Sequence, residues 1–240
     1  MPTEPTKHKS LVVLTGAGVS AESGVPTFRG EAGLWRTYRA EDLATPTAFH
    51  RDPKLVWEFY AWRRGLIAAC QPNQAHLLLA EIEKQSTDFT LITQNVDGLH
   101  TAAGSRKVLE IHGSIWRMRC TSCRHRWDDK KPALEELPPR CPACGEMARP
   151  DVVWFGENLN IQVLECTYDA VLRAHMMLVI GTSGFIHPAA DLPQLFKTHG
   201  GTLIEINTEE TPISGIADKI YRSQATIGLQ DWWDDRRNYL

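Results

Sequence analysis

The chain has 240 residues and a formal net charge of −3, with 26 basic against 29 acidic side chains mixed along its length. That length holds one medium domain, or a large domain plus a small insert, with a full core. The charge balance argues against a nucleic-acid-binding surface. The lack of any apolar run of about 18 residues argues against a membrane span, and the polar residues 1–10 argue against a secretion or import signal, so a cytoplasmic setting is expected.

Leu11–Thr15 (LVVLT) is a short apolar run ending in Gly16-Ala17-Gly18, which predicts a buried parallel strand feeding a tight turn. Asp52-Pro53 pairs a capping residue with a first-turn proline and predicts a helix to about Cys70. Asn73 is placed to cap a second helix, NQAHLLLAEIEK. Phe89–Thr93 and residues 108–111 read as two further core strands. From residue 116 to 149 the composition shifts to Arg, Pro and Cys. Met176–Ile180 and Thr202–Ile206 read as strands, with a helix over 188–198 between them. Residues 231–240, with Trp232 and Trp233, are amphipathic enough for a terminal helix on the large domain. Cys70 and Cys166 lie in amphipathic stretches and read as small buried apolar residues rather than reactive thiols.

Strands alternating with helices predict a parallel α/β sheet, whose ligands bind at the carboxyl ends of the strands. GAG, QNVD, HG, GTS and NTE each follow one of the five strands, so all five segments gather on one edge. Gly16-Ala17-Gly18 lets the backbone approach a phosphate, with the following N–H groups aimed at it. Cys120 and Cys123, then Cys141 and Cys144, form two Cys-x2-Cys pairs separated by 17 residues. That spacing predicts a tetrahedral zinc with four protein ligands; a closed shell leaves no position for a catalytic water, so the metal is structural. The expected organisation is a large nucleotide-binding domain (1–115 and 150–240) and a small zinc-binding insert (116–149), with a helical insert near 36–72 belonging to the small module.

The stretch GAGVSAESGVPTFRG (16–30), with QNVDGLH (94–100), HG (112–113), the four cysteines, FGE (155–157), GTS (181–183) and IN (206–207), resembles the sirtuin family of NAD-dependent protein deacylases from about Leu11 to Leu229. The resemblance implies an inverted Rossmann-type parallel sheet domain with a small inserted zinc-binding domain. It implies that NAD and an acylated lysine of a protein enter the cleft between them from opposite sides. The acyl oxygen attacks the ribose carbon bearing nicotinamide, a histidine acts as general base toward a ribose hydroxyl, and lysine, nicotinamide and O-acyl-ADP-ribose are released. His112 is that histidine by its motif, an imidazole being able to exchange a proton near pH 7. Asn95 and Asp97 are the other catalytic candidates, Asp97 being able to stabilise positive charge on the ribosyl carbon.

Cofactor contacts are expected from Gly16, Ala17, Gly18, Ser20, Glu22, Thr27, Phe28, Arg29 and Trp35 on the first loop. Others are Gln94, Asn95, Val96 and Asp97 on the nicotinamide side, and Gly181, Thr182, Ser183, Asn207, Thr208, Glu209 and Ala225 on the adenosine side. Val153, Trp154, Phe155, Gly156 and Glu157 resemble the segment that pairs with substrate backbone as an added strand. The implied partners are acylated proteins, without nucleic acid or membrane, and near-absent tails suggest a monomer.

Tyr60 and Arg63, three apart on the predicted helix 53–70, share a face and resemble the Tyr-x-x-Arg pair of the desuccinylase and demalonylase branch. A guanidinium and a phenol suit a carboxylate-terminated acyl group. Arg64 is equally basic one position on, and a surface helix with a solvated arginine is the plain alternative. A mainly acetyl-directed deacetylase and an NAD-dependent mono-ADP-ribosyltransferase are the competing activities.

Overall fold

In a computed structural model the chain is described at residues 10–26, 34–35 and 38–237. The first strand, β1 (Leu11–Thr15), is buried at every position and leads into the short α1 (Gly18–Ala21). A two-stranded ribbon follows, β2 (Leu34–Trp35) with β3 (Tyr38–Arg39), then α2 (Ala40–Leu43), α3 (Pro46–Arg51) and α4 (Pro53–Ala68). The starts of α3 and α4 are written in the sequence. Thr45 accepts the Ala48 N–H at 3.0 Å and Asp52 that of Leu55 at 2.9 Å, each just ahead of a first-turn proline. In α5 (Gln74–Gln85) the cap is reciprocal: Asn73 Oδ1 accepts the Ala75 N–H at 3.0 Å, and His76 Nδ1 accepts the Asn73 N–H at 3.2 Å.

The chain continues through β4 (Phe89–Thr93), α6 (Leu99–Ala102), β5 (Val108–Glu110), β6 (Gly113–Cys120), β7 (Arg126–Asp128), β8 (Ala148–Val152) and α7 (Ile161–Arg173). It closes with β9 (Met176–Ile180), a 3-10 turn at Ala189–Asp191, α8 (Leu192–Thr198), β10 (Thr202–Ile206), β11 (Lys219–Tyr221) and α9 (Ala225–Arg237). The large sheet is six-stranded and parallel, ordered β11-β10-β9-β1-β4-β5. Counted along the sheet's own strands, this is the doubly wound 3-2-1-4-5-6 order, and its switch point lies between β1 and β9.

Alternation along β1 divides the core. Leu11 and Val13 pack with α5 and α9 on one face, around Leu79, Ile82, Leu229 and Trp232. Val12 and Leu14 pack on the other face with Val171 of α7 and Phe196 of α8. Because both faces are covered, the strands read as continuous apolar runs. A third cluster belongs to the small module: Leu43, Phe49, Val56, Trp57, Phe59 and Tyr60 of the helices meet Ile115, Met118 and Trp154 of the zinc-binding region. Each fully buried aromatic or aliphatic side chain there contributes roughly 1.5–3 kcal/mol.

The antiparallel sheet ordered β7-β6-β8 runs from Gly113 to Val152 and encloses the four cysteines. Two expectations are corrected. The terminal helix begins at Ala225, not 231, so that Ala225 and Leu229 join Trp232 in the core. Cys166 is exposed, on the outer side of α7, and only Cys70 is partly buried, its Sγ donating to the Leu66 carbonyl at 3.3 Å.

Candidate active site

The carboxyl edge of the sheet collects the segments that the sequence singles out. At the switch point, Gly16 and Gly18 press against the loop after β9: a Cβ on Gly16 would lie 2.7 Å from Thr182 Cα, and one on Gly18 2.7 Å from Gly181 Cα. Glycine is therefore required by loop packing. The N–H groups of Gly18, Val19 and Ser20 are bonded internally, to Gly181, Gly16 and Ala17 carbonyls at 2.8, 3.2 and 3.1 Å. Those three donors serve the packing of the turn against the loop after β9.

The residues after β4 form the buried centre. Asn95 donates through Nδ2 to the Gly16 carbonyl at 3.0 Å and to Ser20 Oγ at 3.1 Å. Ser20 in turn donates to Asp97 Oδ2 at 2.7 Å, and the Leu99 N–H reaches Asp97 Oδ1 at 2.9 Å. Burial raises the pKa of Asp97, while these donors and the charge of Arg63 hold it down in part. Gln94 Nε2 donates to Thr182 Oγ1 at 2.8 Å, and Asn207 Nδ2 to the Thr182 carbonyl at 2.7 Å, so three strand ends are tied together. His112, after β5, is half-buried, with Nδ1 3.0 Å from the Gln94 carbonyl oxygen. Burial lowers its pKa and that bond offsets part of the shift. The next residue must be glycine: Gly113 has φ +81°, and a Cβ would sit 2.1 Å from the Asp151 oxygen.

Some candidates sit elsewhere. Thr27, Phe28 and Arg29 lie outside the described residues, as does the Trp35 side chain. Glu22 is exposed and accepts from the Thr226 N–H at 3.1 Å and Oγ at 2.6 Å, so its charge caps the positive end of α9 instead of facing a cofactor. Val96 turns its side chain into the small-module core, and Ala225 packs against the sheet. Thr208 and Glu209 are exposed at the rim and Ser183 is half-buried.

The 153–157 segment is not an open strand edge. The N–H groups of Val153, Phe155 and Glu157 bond to His112, Ala44 and Trp154 carbonyls, each at 2.9 Å, and the Trp154 N–H bonds to Glu157 Oε2 at 2.9 Å. Trp154 is buried and Glu157 is held by Arg149 at 2.6 Å and Arg119 at 3.1 Å, so both side chains hold the turn together. Burial opposes the Glu157 charge, yet the bonds from Arg149 and Trp154 outweigh it and keep its pKa below the usual value. Phe155 (43% exposed) and Gly156 remain at the surface.

The arginine ambiguity is resolved by burial. Arg64 is fully buried and bound to Asp129 Oδ1 at 2.6 Å and to the carbonyls of Asp129, Lys131 and Ile115, so it joins α4 to the zinc module. Arg63 (9% exposed) lies one turn from Tyr60. Burial lowers the Arg63 pKa, and the neighbouring Tyr60 and Asp97 favour its charge. Tyr60 Oη accepts the Trp154 indole N–H at 2.9 Å, and burial raises its pKa to about 12. It is therefore a neutral phenol with a hydrogen left to donate.

The four cysteine sulfurs lie within 4.8 Å of one another, with Cys120–Cys144 at 3.5 Å and Cys123–Cys141 at 3.8 Å. A metal–sulfur distance of about 2.3 Å gives a tetrahedron with edges of about 3.8 Å, so the set fits zinc. The N–H groups of Ser122 and Cys123 reach Cys120 Sγ at 3.3 Å, as suits a thiolate.

Behind the site lies a pair of histidines to which the sequence assigns no role, His100 at the end of the 94–100 motif and His76 outside the motifs. His76 and His100 stack with ring centroids 4.7 Å apart. His76 Nε2 faces Ser20 Oγ at 3.4 Å and His100 Nε2 faces Thr15 Oγ1 at 3.0 Å. On the adenosine side, buried Glu205 accepts from Thr211 and Ser214 and shapes the loop after Asn207. The available signal was a polar residue inside or ending an apolar run. Burial lowers His76 to about 4 and His100 to about 3, the latter helped by His76. A depressed base binds protons in the unfolded chain first, so its stabilisation is present above pH 6.5 and is lost as pH falls toward these values. Urea unfolding at pH 7 and pH 4.5 should differ by on the order of 4 kcal/mol, and a His76→Gln/His100→Gln variant should lose most of that dependence.

A parallel sheet of this order with a four-cysteine insert defines a nucleotide-binding α/β protein, and the profile of the Sir2 family matches residues 16–188. The chain belongs to the Sir2 family. It is similar to the NAD-dependent protein deacylase of Aquifex aeolicus (strain VF5), 52% identical over 228 residues and 95% of each chain. It is also similar to the NAD-dependent protein deacylase of Thermococcus kodakarensis, 53% identical over 225 residues, 91% of this chain and 88% of the other. Among solved structures, a Sir2 homologue in complex with NAD superposes with a TM-score of 0.92 at 48% identity, over 97% of this chain and 91% of that one. A Sir2 complex with a p53 peptide and NAD+ superposes at 0.84 and 32% identity, over 95% of this chain and 94% of that one.

Proposed function

We propose that this chain is an NAD-dependent protein-lysine deacylase that removes succinyl and malonyl groups in preference to acetyl. The general activity is supported by its Sir2 membership, by relatives named NAD-dependent protein deacylases, and by the convergence of Ser20, Asn95, Asp97 and His112 on one sheet edge. The loops around the switch point would hold NAD, which would supply the ribosyl group that accepts the acyl chain. Asn95 and Asp97, fixed by Ser20, would orient the nicotinamide ribose. His112 holds Nδ1–H on the Gln94 carbonyl and offers Nε2 as the base. Cys120, Cys123, Cys141 and Cys144 would hold a zinc ion that ties the small module together.

The acyl preference rests on one observation, the buried Tyr60–Arg63 face of α4 beside Asp97. A succinyl or malonyl carboxylate would meet a guanidinium and a phenolic donor there; an apolar acyl chain would not use them. Mass spectrometry of one lysine peptide carrying acetyl, malonyl or succinyl, with and without NAD, tests the reading. The expected result is NAD-dependent loss of succinyl and malonyl at least tenfold faster than acetyl. Faster removal of acetyl would refute the preference and leave deacylation standing, while ADP-ribose transfer to protein without acyl loss would refute both.

A further inference from the structure

A second concavity, of about 930 Å³, opens between α3 and the zinc-binding sheet. It is lined by Arg119, Arg124, Arg126 and Arg149, together with His50 of α3 and Trp154. The carboxylates near these cations are shared, and among the described residues the only other anionic groups in the wall are Cys120 and Cys123 of the metal site. Glu157 is shared between Arg149 at 2.6 Å and Arg119 at 3.1 Å. Asp151 lies 3.9 Å from Arg126 and is held more closely, at 2.8 Å, by Arg117. Arg124 is exposed and makes no ion pair among the described residues. Arg149 Nε is buried without an acceptor among them.

We propose that this groove binds an acidic segment of the protein substrate, carboxylate side chains meeting Arg124 and Arg126 on the sheet and His50 on the helix. The proposal rests on the deacylase reading for the word substrate, since Trp154 in the groove wall belongs to the 153–157 segment and Arg149 holds its Glu157. Guanidinium forks suit carboxylates, and a concave site with low-dielectric walls concentrates the field of the arginines. A nucleic acid is disfavoured on the same ground. It needs a track of cations matching successive phosphates, whereas this cluster is local and the chain as a whole carries −3.

The test is calorimetric titration of the full, zinc-loaded chain with a six-glutamate peptide, at low and at physiological salt. Binding should weaken as salt rises. It should be about tenfold weaker in Arg124→Gln/Arg126→Gln and also in His50→Glu, which alters the opposite wall of the groove. Zinc content and melting temperature verify that each variant is folded. In kinetics, a succinyl-lysine peptide with a glutamate-rich flank should show a lower KM than one with a neutral flank, with kcat unchanged, and that difference should vanish in the variants. Absence of peptide binding at low salt, or binding indifferent to all three substitutions, overturns the proposal. So does tighter, arginine-dependent binding of a single-stranded oligonucleotide or of tripolyphosphate than of the glutamate peptide. If the peptide binds through these residues and the chain removes no acyl group, the groove stands and the deacylase reading falls.

Discussion

Replacing His112 with alanine is expected to lower kcat/KM for deacylation by about 10²–10⁴-fold, while NAD binding changes little. The argument starts from a carbonyl oxygen, which only accepts hydrogen bonds. With Nδ1 3.0 Å from the Gln94 carbonyl, the proton of the neutral ring resides on Nδ1, and Nε2 carries the lone pair. The tautomer is thus set by the backbone. The carbonyl of His112 accepts the Val153 N–H at 2.9 Å, and Gly113 allows the close crossing over Asp151, so the ring is carried on backbone fixed from both sides. Burial depresses the imidazole pKa below 6.5, and the Gln94 bond restores only part of the shift. The base is therefore neutral throughout the neutral range, and activity should fall as pH drops below about 6.5 and through the His112 pKa. A pH profile of kcat/KM for wild type and His112→Ala, with NAD affinity measured separately, checks this. Full activity in the alanine variant, or a wild-type profile flat down to pH 4, would exclude His112 as the base.

Much of the architecture was legible because local chemistry and tertiary structure agree. The runs at β1, β4, β9 and β10 became parallel strands covered on both faces, which is what writes an apolar run, while β5 lies half-buried at the edge. The helix starts at Pro53 and Gln74 were legible because Asp52 and Asn73 serve as caps whose partners lie within three residues. The cysteine pairs were legible for the same reason, as Cys-x2-Cys spacing fixes the geometry of each half-site locally. What the sequence hid depends on distant partners. Glu22 resembled a cofactor residue by motif, yet its partner Thr226 is at the far end of the chain. The glycines of the first turn have a second requirement that only the fold shows, the close passage of the loop 181–182. Nothing local in 153–157 shows that Arg119 and Arg149 hold Glu157 and so shape that segment as a turn. Helical spacing favoured Arg63 over Arg64, but only the distant Asp129 shows what Arg64 does instead.

Replacing Arg63 with methionine is expected to separate the acyl groups. Desuccinylation and demalonylation should lose about 10²–10³-fold in kcat/KM, and deacetylation should change by less than about threefold. Methionine keeps the length and most of the volume of the side chain, so packing beside Phe59, whose ring centroid lies 5.8 Å from the guanidinium carbon, is largely retained. What disappears is the charge. A succinyl carboxylate entering the same pocket would then be desolvated without its cation, and truncating one partner of a buried charge pair costs about 3–5 kcal/mol. Acetyl brings no charge and does not incur that penalty. Tyr60→Phe should give a smaller loss, about tenfold, because the phenol contributes one hydrogen bond and stays neutral with a pKa of about 12. Its removal also leaves the Trp154 indole N–H without its acceptor. The measurement is kcat/KM for one peptide carrying each acyl group, with melting temperatures to verify folding. If acetyl, malonyl and succinyl removal all fall together in a folded Arg63→Met protein, Arg63 acts on the common machinery through neighbouring Asp97, and the acidic-acyl preference is wrong. If only the two acidic groups are affected, α4 carries the specificity of this enzyme on a single helical turn.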